Sequence, residues 1–274
     1  MLFNYVPMIF VNDINPELFS YGFINIRWYG GFFLIGIILN YLILRWTFKK
    51  NKFPFEDLDS LVIYLFIGLI LGARFGHIIF YEPEYYFEHP TQILKIWNGG
   101  LASHGAAIGL FITYLIWTIV HKTNFKKYVD ILVLGMPITA MFVRIGNFFN
   151  SEIVGIKSEG WGVVFKKLGE DFPRYPVQLF EAVLNFVIFF VLFFLYKKYS
   201  KKTPQLFYLF LYILLYFAGR FIIEFWKDLH GLPAEFPLST GQILSILPIV
   251  LALGYFGMIT FEKYYSKNKK KCRG

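Results

Sequence analysis

The chain has 274 residues, 57% hydrophobic, 22% aromatic and only 16% charged, with a mean hydropathy of +0.52. An average soluble domain carries about 25% charged residues, so this composition excludes a disordered protein, a soluble nucleic-acid binder and an ordinary cytosolic enzyme. The single cysteine, Cys272, lies in a lysine-rich tail, which excludes a disulfide framework and a cysteine-based zinc site, and a net charge of +9 on so apolar a chain points to oriented membrane loops.

Residues Met1–Arg27 do not read as a cleaved signal. They lack a basic start, and Asn12, Asp13, Asn15 and Glu17 interrupt any apolar core. Pro7 and Pro16 oppose a long helix, so a short amphipathic segment on the membrane surface is expected. Seven segments then approach the ~20 apolar residues that a spanning helix needs: Trp28–Trp46, Ser60–Tyr81, Leu101–Val120, Ile131–Asn150, Leu179–Tyr196, Leu206–Phe225 and Gly241–Phe261. Their connections are short and polar, and no internal repeat is visible. The expectation is an all-α integral membrane protein of about seven transmembrane helices. It forms one polytopic domain, 1–274, with an external or interfacial segment 1–27 and a basic cytoplasmic tail 262–274.

Seventeen of the 27 Lys and Arg residues fall after helices one, three and five and in the tail, against seven on the other side. Basic loops stay cytoplasmic, which places the amino terminus outside and the carboxyl terminus inside. The other three, Arg74, Arg144 and Arg220, lie within predicted spans. An arginine there costs roughly 2.5–3.5 kcal/mol on insertion scales and usually faces the bundle interior and meets an anion.

Five groups of residues could carry chemistry. Arg220 and Glu224 stand at i, i+4 on helix six. They are either a structural ion pair or a site whose guanidinium keeps a planar fork for a phosphate. At the end of helix four, Arg144, Asn147, Asn150 and Glu152 are too many polar groups for one helix cap. Before helix three, Asn98-Gly-Gly leads to His104, beside Ser103, Gly105, Ala106 and Gly109, small residues that allow close approach by a helix or a lipid. A lone histidine is either structural or a general base. Arg27-Trp28-Tyr29-Gly30 opens helix one with interface aromatics, and Tyr175-Pro-Val-Gln178-Leu-Phe-Glu181 opens helix five. On the derived topology these groups, with Arg74 in helix two, share the outer half of the membrane. Arg74 is open to a structural or a site role.

These motifs resemble the prolipoprotein diacylglyceryl transferase family over nearly the whole chain. The resemblance rests on Arg27-Trp-Tyr-Gly30, Gly99-Gly-x-x-x-His104-Gly, Arg144-x-Gly-Asn-Phe-x-Asn-x-Glu152-x-x-Gly155, Pro176-x-Gln-Leu-x-Glu181, Gly219-Arg-Phe-x-x-Glu224-Phe and Ser239-x-Gly-Gln-Ile-Leu-Ser245. Val143, Ala106, Tyr175, Val177, Phe180 and Lys227 depart from the family pattern. The resemblance implies transfer of the diacylglyceryl group of phosphatidylglycerol to the lipobox cysteine thiol of a prolipoprotein signal peptide. A thioether forms and glycerol phosphate leaves, in the first step of lipoprotein maturation. It implies a bacterial cytoplasmic (inner) membrane, an active site toward the outer leaflet, no cofactor or metal, and no nucleic-acid partner. Arg144 and Arg220 are then the groups that hold the phosphate, and His104 is the candidate base. Tyr29, Asn147, Asn150, Glu152, Gly155, Tyr216 and Glu224 complete the phosphatidylglycerol site, with Tyr216 at i−4 from Arg220 on the same face. An organic-anion transporter would show an inverted repeat and broken helices. A metal-dependent lipid phosphotransferase would show clustered aspartates, whereas Asp130 stands alone.

Overall fold

The structure, a computed structural model, describes residues 9–21, 24–96, 99–228 and 238–271, the side chains of 24 and 263–271 excepted. Asn98, Cys272 and residues 1–8 lie outside the described residues. In chain order the elements are β1 (Ile9–Asn12), β2 (Glu17–Tyr21), β3 (Ile24–Arg27), α1 (Trp28–Asn51), α2 (Phe55–Phe80), the short α3 (Pro83–Glu88), α4 (Ser103–Val120), α5 (Lys126–Phe149), β4 (Gly162–Phe165), α6 (Val177–Tyr199), α7 (Phe207–Ile223) and α8 (Thr240–Lys271). Among the described residues, seven helices are long and apolar enough to cross a membrane: α1, α2, α4, α5, α6, α7 with the turn that follows it, and α8 as far as Glu262. The chain is a multi-pass membrane protein.

Several helices outrun the apolar limits read from sequence. α2 starts at Phe55, with Glu56 and Asp57 in its first turn, and α1 ends with Lys49 and Lys50 in its last. These charges complement the helix macrodipole, and backbone hydrogen bonding does not stop where apolar composition does. The expected amphipathic N-terminal segment takes the form of strands. β1 pairs in parallel with β4, Ile9 opposite Gly162 and Asn12 opposite Phe165. β2 and β3 form an antiparallel hairpin with Phe19 opposite Ile26. The fold is therefore mostly helical but not strictly all-α. The strands, four or five residues each, are too short to register in a hydropathy profile.

The chain forms two compact units: residues 1–43 with 130–274, and Leu44–Val129, which interrupts the first in sequence. In the second unit, α2 and α4 pack backbone to backbone. A methyl group on Gly72 would stand 2.7 Å from the Gly109 Cα, and one on Gly109 would stand 2.8 Å from the Gly72 Cα. Gly68, Gly72 and Gly76 recur every four residues and meet Gly105 and Gly109 on α4, a small-residue interface of the kind used between membrane helices. Of the small residues around His104, Gly105 and Gly109 thus face a helix. At the far end of α4, Trp117 Nε1 donates to Ser60 Oγ at 3.0 Å.

In the first unit, side chains cap the starts of α7 and α8. Asp130 accepts the Leu206 and Leu209 amides at 2.7 and 3.0 Å and so caps α7. Ser239 and Gln242 form a reciprocal capping box on α8, each side chain accepting the other's backbone N–H at 3.0 and 2.9 Å.

Candidate active site

Five helix ends of the first unit supply the polar cluster: the starts of α1, α6 and α8 and the ends of α5 and α7. After Phe149 the chain turns sharply, with Ser151 and Ile153 at positive φ of 57° and 55°. The turn carries Glu152 back over the last turn of α5. There its carboxylate accepts from Asn147 Nδ2 at 3.1 Å and Asn150 Nδ2 at 3.2 Å. The Glu152 carbonyl accepts from Gln178 Nε2 at 2.7 Å, which joins α6 to the same turn. Arg144 places Nη1 3.3 Å from Asn147 Oδ1 and Nε 2.7 Å from Glu181 Oε2. Tyr29 neighbours Arg144 and Glu152, and its ring lies where a methyl group on Gly146 would come within 2.9 Å.

Arg220 has Tyr216, Glu224 and Glu181 as its polar neighbours. The i, i+4 spacing to Glu224 does not produce an ion pair. Among the described residues no carboxylate oxygen lies within 4 Å of the Arg220 guanidinium, and Glu224 Oε2 stands instead 3.6 Å from Lys227 Nζ. The structural ion-pair reading of Arg220 and Glu224 is thereby set aside. Lys227 also reaches Glu181 Oε1 at 3.5 Å. Glu224 is buried against α8, where a methyl group on Gly241 would stand 2.8 Å from Oε2.

A polar brace outside the spans holds the loop between α5 and α6. Gly155 N donates to the Tyr175 carbonyl at 3.0 Å, and Arg174 Nη1 donates to the Gly155 carbonyl at 3.0 Å and to Asp228 Oδ2 at 2.6 Å. Gly155 therefore sits in a backbone crossing that a side chain would obstruct. Arg174 grips Glu170 through Nε and Nη2, both at 2.5 Å. This fork holds the Glu170 carboxyl below its ordinary pKa, and Glu170 in turn raises that of Arg174.

The structure brings together Tyr29, Arg144, Asn147, Asn150 and Glu152, and places Tyr216, Arg220 and Glu224 in the same unit. His104 belongs to the second unit, exposed at the second residue of α4. Arg74 also belongs there, and its surroundings correct the expectation that it meets an anion. It is 4% exposed. Nε donates to the Ile93 carbonyl at 2.9 Å, Nη1 to those of Gly99 and Gly100 at 2.8 and 3.1 Å, and Nη2 to that of Gln92 at 2.5 Å. The Tyr86 ring stacks under the guanidinium at 4.8 Å. Arg74 is structural: it organises the loop before α4. The sequence reading did not assign Glu181 or Lys227 to the site. An arginine within the fourth span, with no carboxylate inside that span, was the signal for Glu181, and the i, i+3 spacing of Glu224 and Lys227 was the signal for Lys227.

The family model for prolipoprotein diacylglyceryl transferase matches residues 16–258. The chain belongs to this family. It is 45% identical over 249 residues to the phosphatidylglycerol–prolipoprotein diacylglyceryl transferase of Tolumonas auensis, covering 89% of this chain and 95% of that protein. It is 36% identical to the enzyme of the same name from Chloroherpeton thalassium, covering 88% and 91%, and 35% identical to that of Wolbachia pipientis, covering 91% and 97%. The span matched to the prolipoprotein diacylglyceryl transferase family contains every residue of the cluster, together with His104 and Arg74.

Proposed function

We propose that the protein transfers the diacylglyceryl group of phosphatidylglycerol to the lipobox cysteine thiol of a prolipoprotein signal peptide in the bacterial cytoplasmic membrane, with its site toward the outer leaflet. The thiol loses its proton, the sulfur attacks the glycerol carbon, and a carbon–sulfur bond replaces the carbon–oxygen bond to phosphate. The electron pair of the broken bond leaves with glycerol phosphate. Fixed positive charge in a low-dielectric site favours that departure, and the thiolate is the competent nucleophile. Arg144 and Arg220 hold the phosphate, His104 takes the thiol proton, and Tyr29, Asn147, Asn150, Glu152 and Tyr216 shape the head-group pocket.

The observation that carries this reading is Arg220, a guanidinium in a membrane-spanning segment with no carboxylate within 4 Å among the described residues. Such a charge is stable when an anion completes it. Purified protein given phosphatidylglycerol and a lipobox peptide, in buffer containing a chelator, is expected to yield the thioether-linked peptide and free glycerol phosphate. No transfer, or equal transfer to a peptide with serine in place of the lipobox cysteine, would reject the reading. Reporters after Lys50 or Lys201 are expected to be cytoplasmic, and reporters within Glu82–Lys95 or Lys157–Arg174 external. The reverse pattern would place the site in the other leaflet.

A further inference from the structure

The first unit buries charges of both signs, and their partners are unevenly distributed. Glu181 has two neighbours: Oε2 lies 2.7 Å from Arg144 Nε, and Oε1 lies 3.5 Å from Lys227 Nζ. Glu224, with its side chain only 4% exposed, has one cation within 4 Å among the described residues, Lys227 at 3.6 Å. Lys227 thus bridges two carboxylates, its own side chain 13% exposed. Arg220 is spaced to pair with Glu224 along one helix face and does not do so.

A buried carboxylate deprived of its partner strongly favours capture of the nearest cation, because leaving it unpaired costs several kcal/mol. Without the lysine, Glu224 has Arg220 one helical turn away. The contact between Arg144 Nε and Glu181 has a related consequence. It engages Nε, Asn147 Oδ1 accepts from Nη1 at 3.3 Å, and Nη2 is left for another ligand.

We propose that Lys227 is a positioning residue. By neutralising Glu181 and Glu224 it keeps Arg220, and Nη2 of Arg144, available to the phosphate of the lipid substrate. This inference rests on the proposed function for the identity of that phosphate. The role is one of charge, so arginine can serve in place of lysine at position 227, while a neutral residue of similar length cannot.

The test measures binding of a fluorescent phosphatidylglycerol in detergent micelles alongside transfer to a lipobox peptide. Lys227→Met is expected to weaken lipid binding and raise its KM by ~10–100-fold, the range for a lost charge-assisted contact, with a smaller effect on kcat. Lys227→Arg is expected to stay near wild type. The double variant Lys227→Met/Glu224→Gln, which removes one buried charge of each sign, is expected to recover most of the lost affinity, because Arg220 then has no orphaned carboxylate to join. If Lys227→Met does not fold, the double variant decides alone. Affinity well above that of Arg220→Ala supports the proposal, and affinity as weak as that of Arg220→Ala overturns it. Unchanged lipid binding in Lys227→Met, or an equal loss in Lys227→Arg, also overturns it. Normal lipid binding with no transfer by the wild type would reject the proposed function and leave the role of Lys227 standing.

Discussion

Arg74 and Arg220 look alike in sequence: each lies in an apolar span, followed by Phe, with a glycine nearby. The structure separates them completely. Arg74 directs its guanidinium at four backbone carbonyls and a tyrosine ring, so its charge is solvated by its own loop. Arg220 has a phenol and more distant carboxylates around it, and no ion pair within 4 Å among the described residues. The two arginines thus differ in how far the protein itself consumes their donors, and that is a property of the surroundings.

The sharpest way to break this comparison is to remove the arginines in turn. Arg144→Ala and Arg220→Ala are expected to lower transfer by at least ~10²–10³-fold, the typical value of one electrostatic stabiliser, with the protein still inserted. Arg144→Lys is also expected to be poor, since an ammonium does not reproduce bidentate phosphate binding. Near-normal turnover in the lysine variant would mean that charge alone suffices there. His104→Gln is expected to lower the single-turnover rate within the ~10²–10⁴-fold range of a general base and to abolish an ascending limb in its pH profile. An unchanged limb would belong to the substrate thiol, which titrates near ~8.5 when unperturbed.

Arg74→Lys sharpens the comparison from the other side. It is expected to destabilise the protein by about 1–3 kcal/mol through unsatisfied carbonyls, read as a lower melting temperature in detergent, while activity per folded molecule stays near wild type. A loss of turnover as deep as that of Arg144→Lys would erase the distinction between the two kinds of arginine.

The smallest effect concerns the Glu170–Arg174 brace. Glu170 titrates below its unfolded value, so its stabilising contribution is fully present above that value, about 4.3. The contribution is lost as pH falls through the lower folded value. Glu170→Gln is expected to remove this acid-side loss and to shift the melting temperature at neutral pH by no more than about 2 °C, because the pair is partly solvated. A larger shift at pH 4 than at neutral pH would contradict the assigned direction.

Much of this protein was legible in one dimension. Spans follow from the free energy of transferring contiguous side chains into hydrocarbon, a sum along the chain, and all seven segments are found as helices in the expected order. The Arg144–Gly155 motif was legible for a related reason: its polar groups are neighbours in sequence and fold back on one tight turn. What the linear pattern could not supply is which charge neutralises which. Glu181 meets Arg144 from another helix, Lys227 takes the carboxylate that spacing offered to Arg220, and the glycines of α4 meet those of α2 and not lipid. The hairpin and the β1–β4 pair were equally hidden, because strand pairing rests on backbone bonds between distant segments. Hydrophobic transfer acts residue by residue, whereas counter-ion choice and backbone approach depend on distances of a few ångströms between helices, which exist only after the helices have packed.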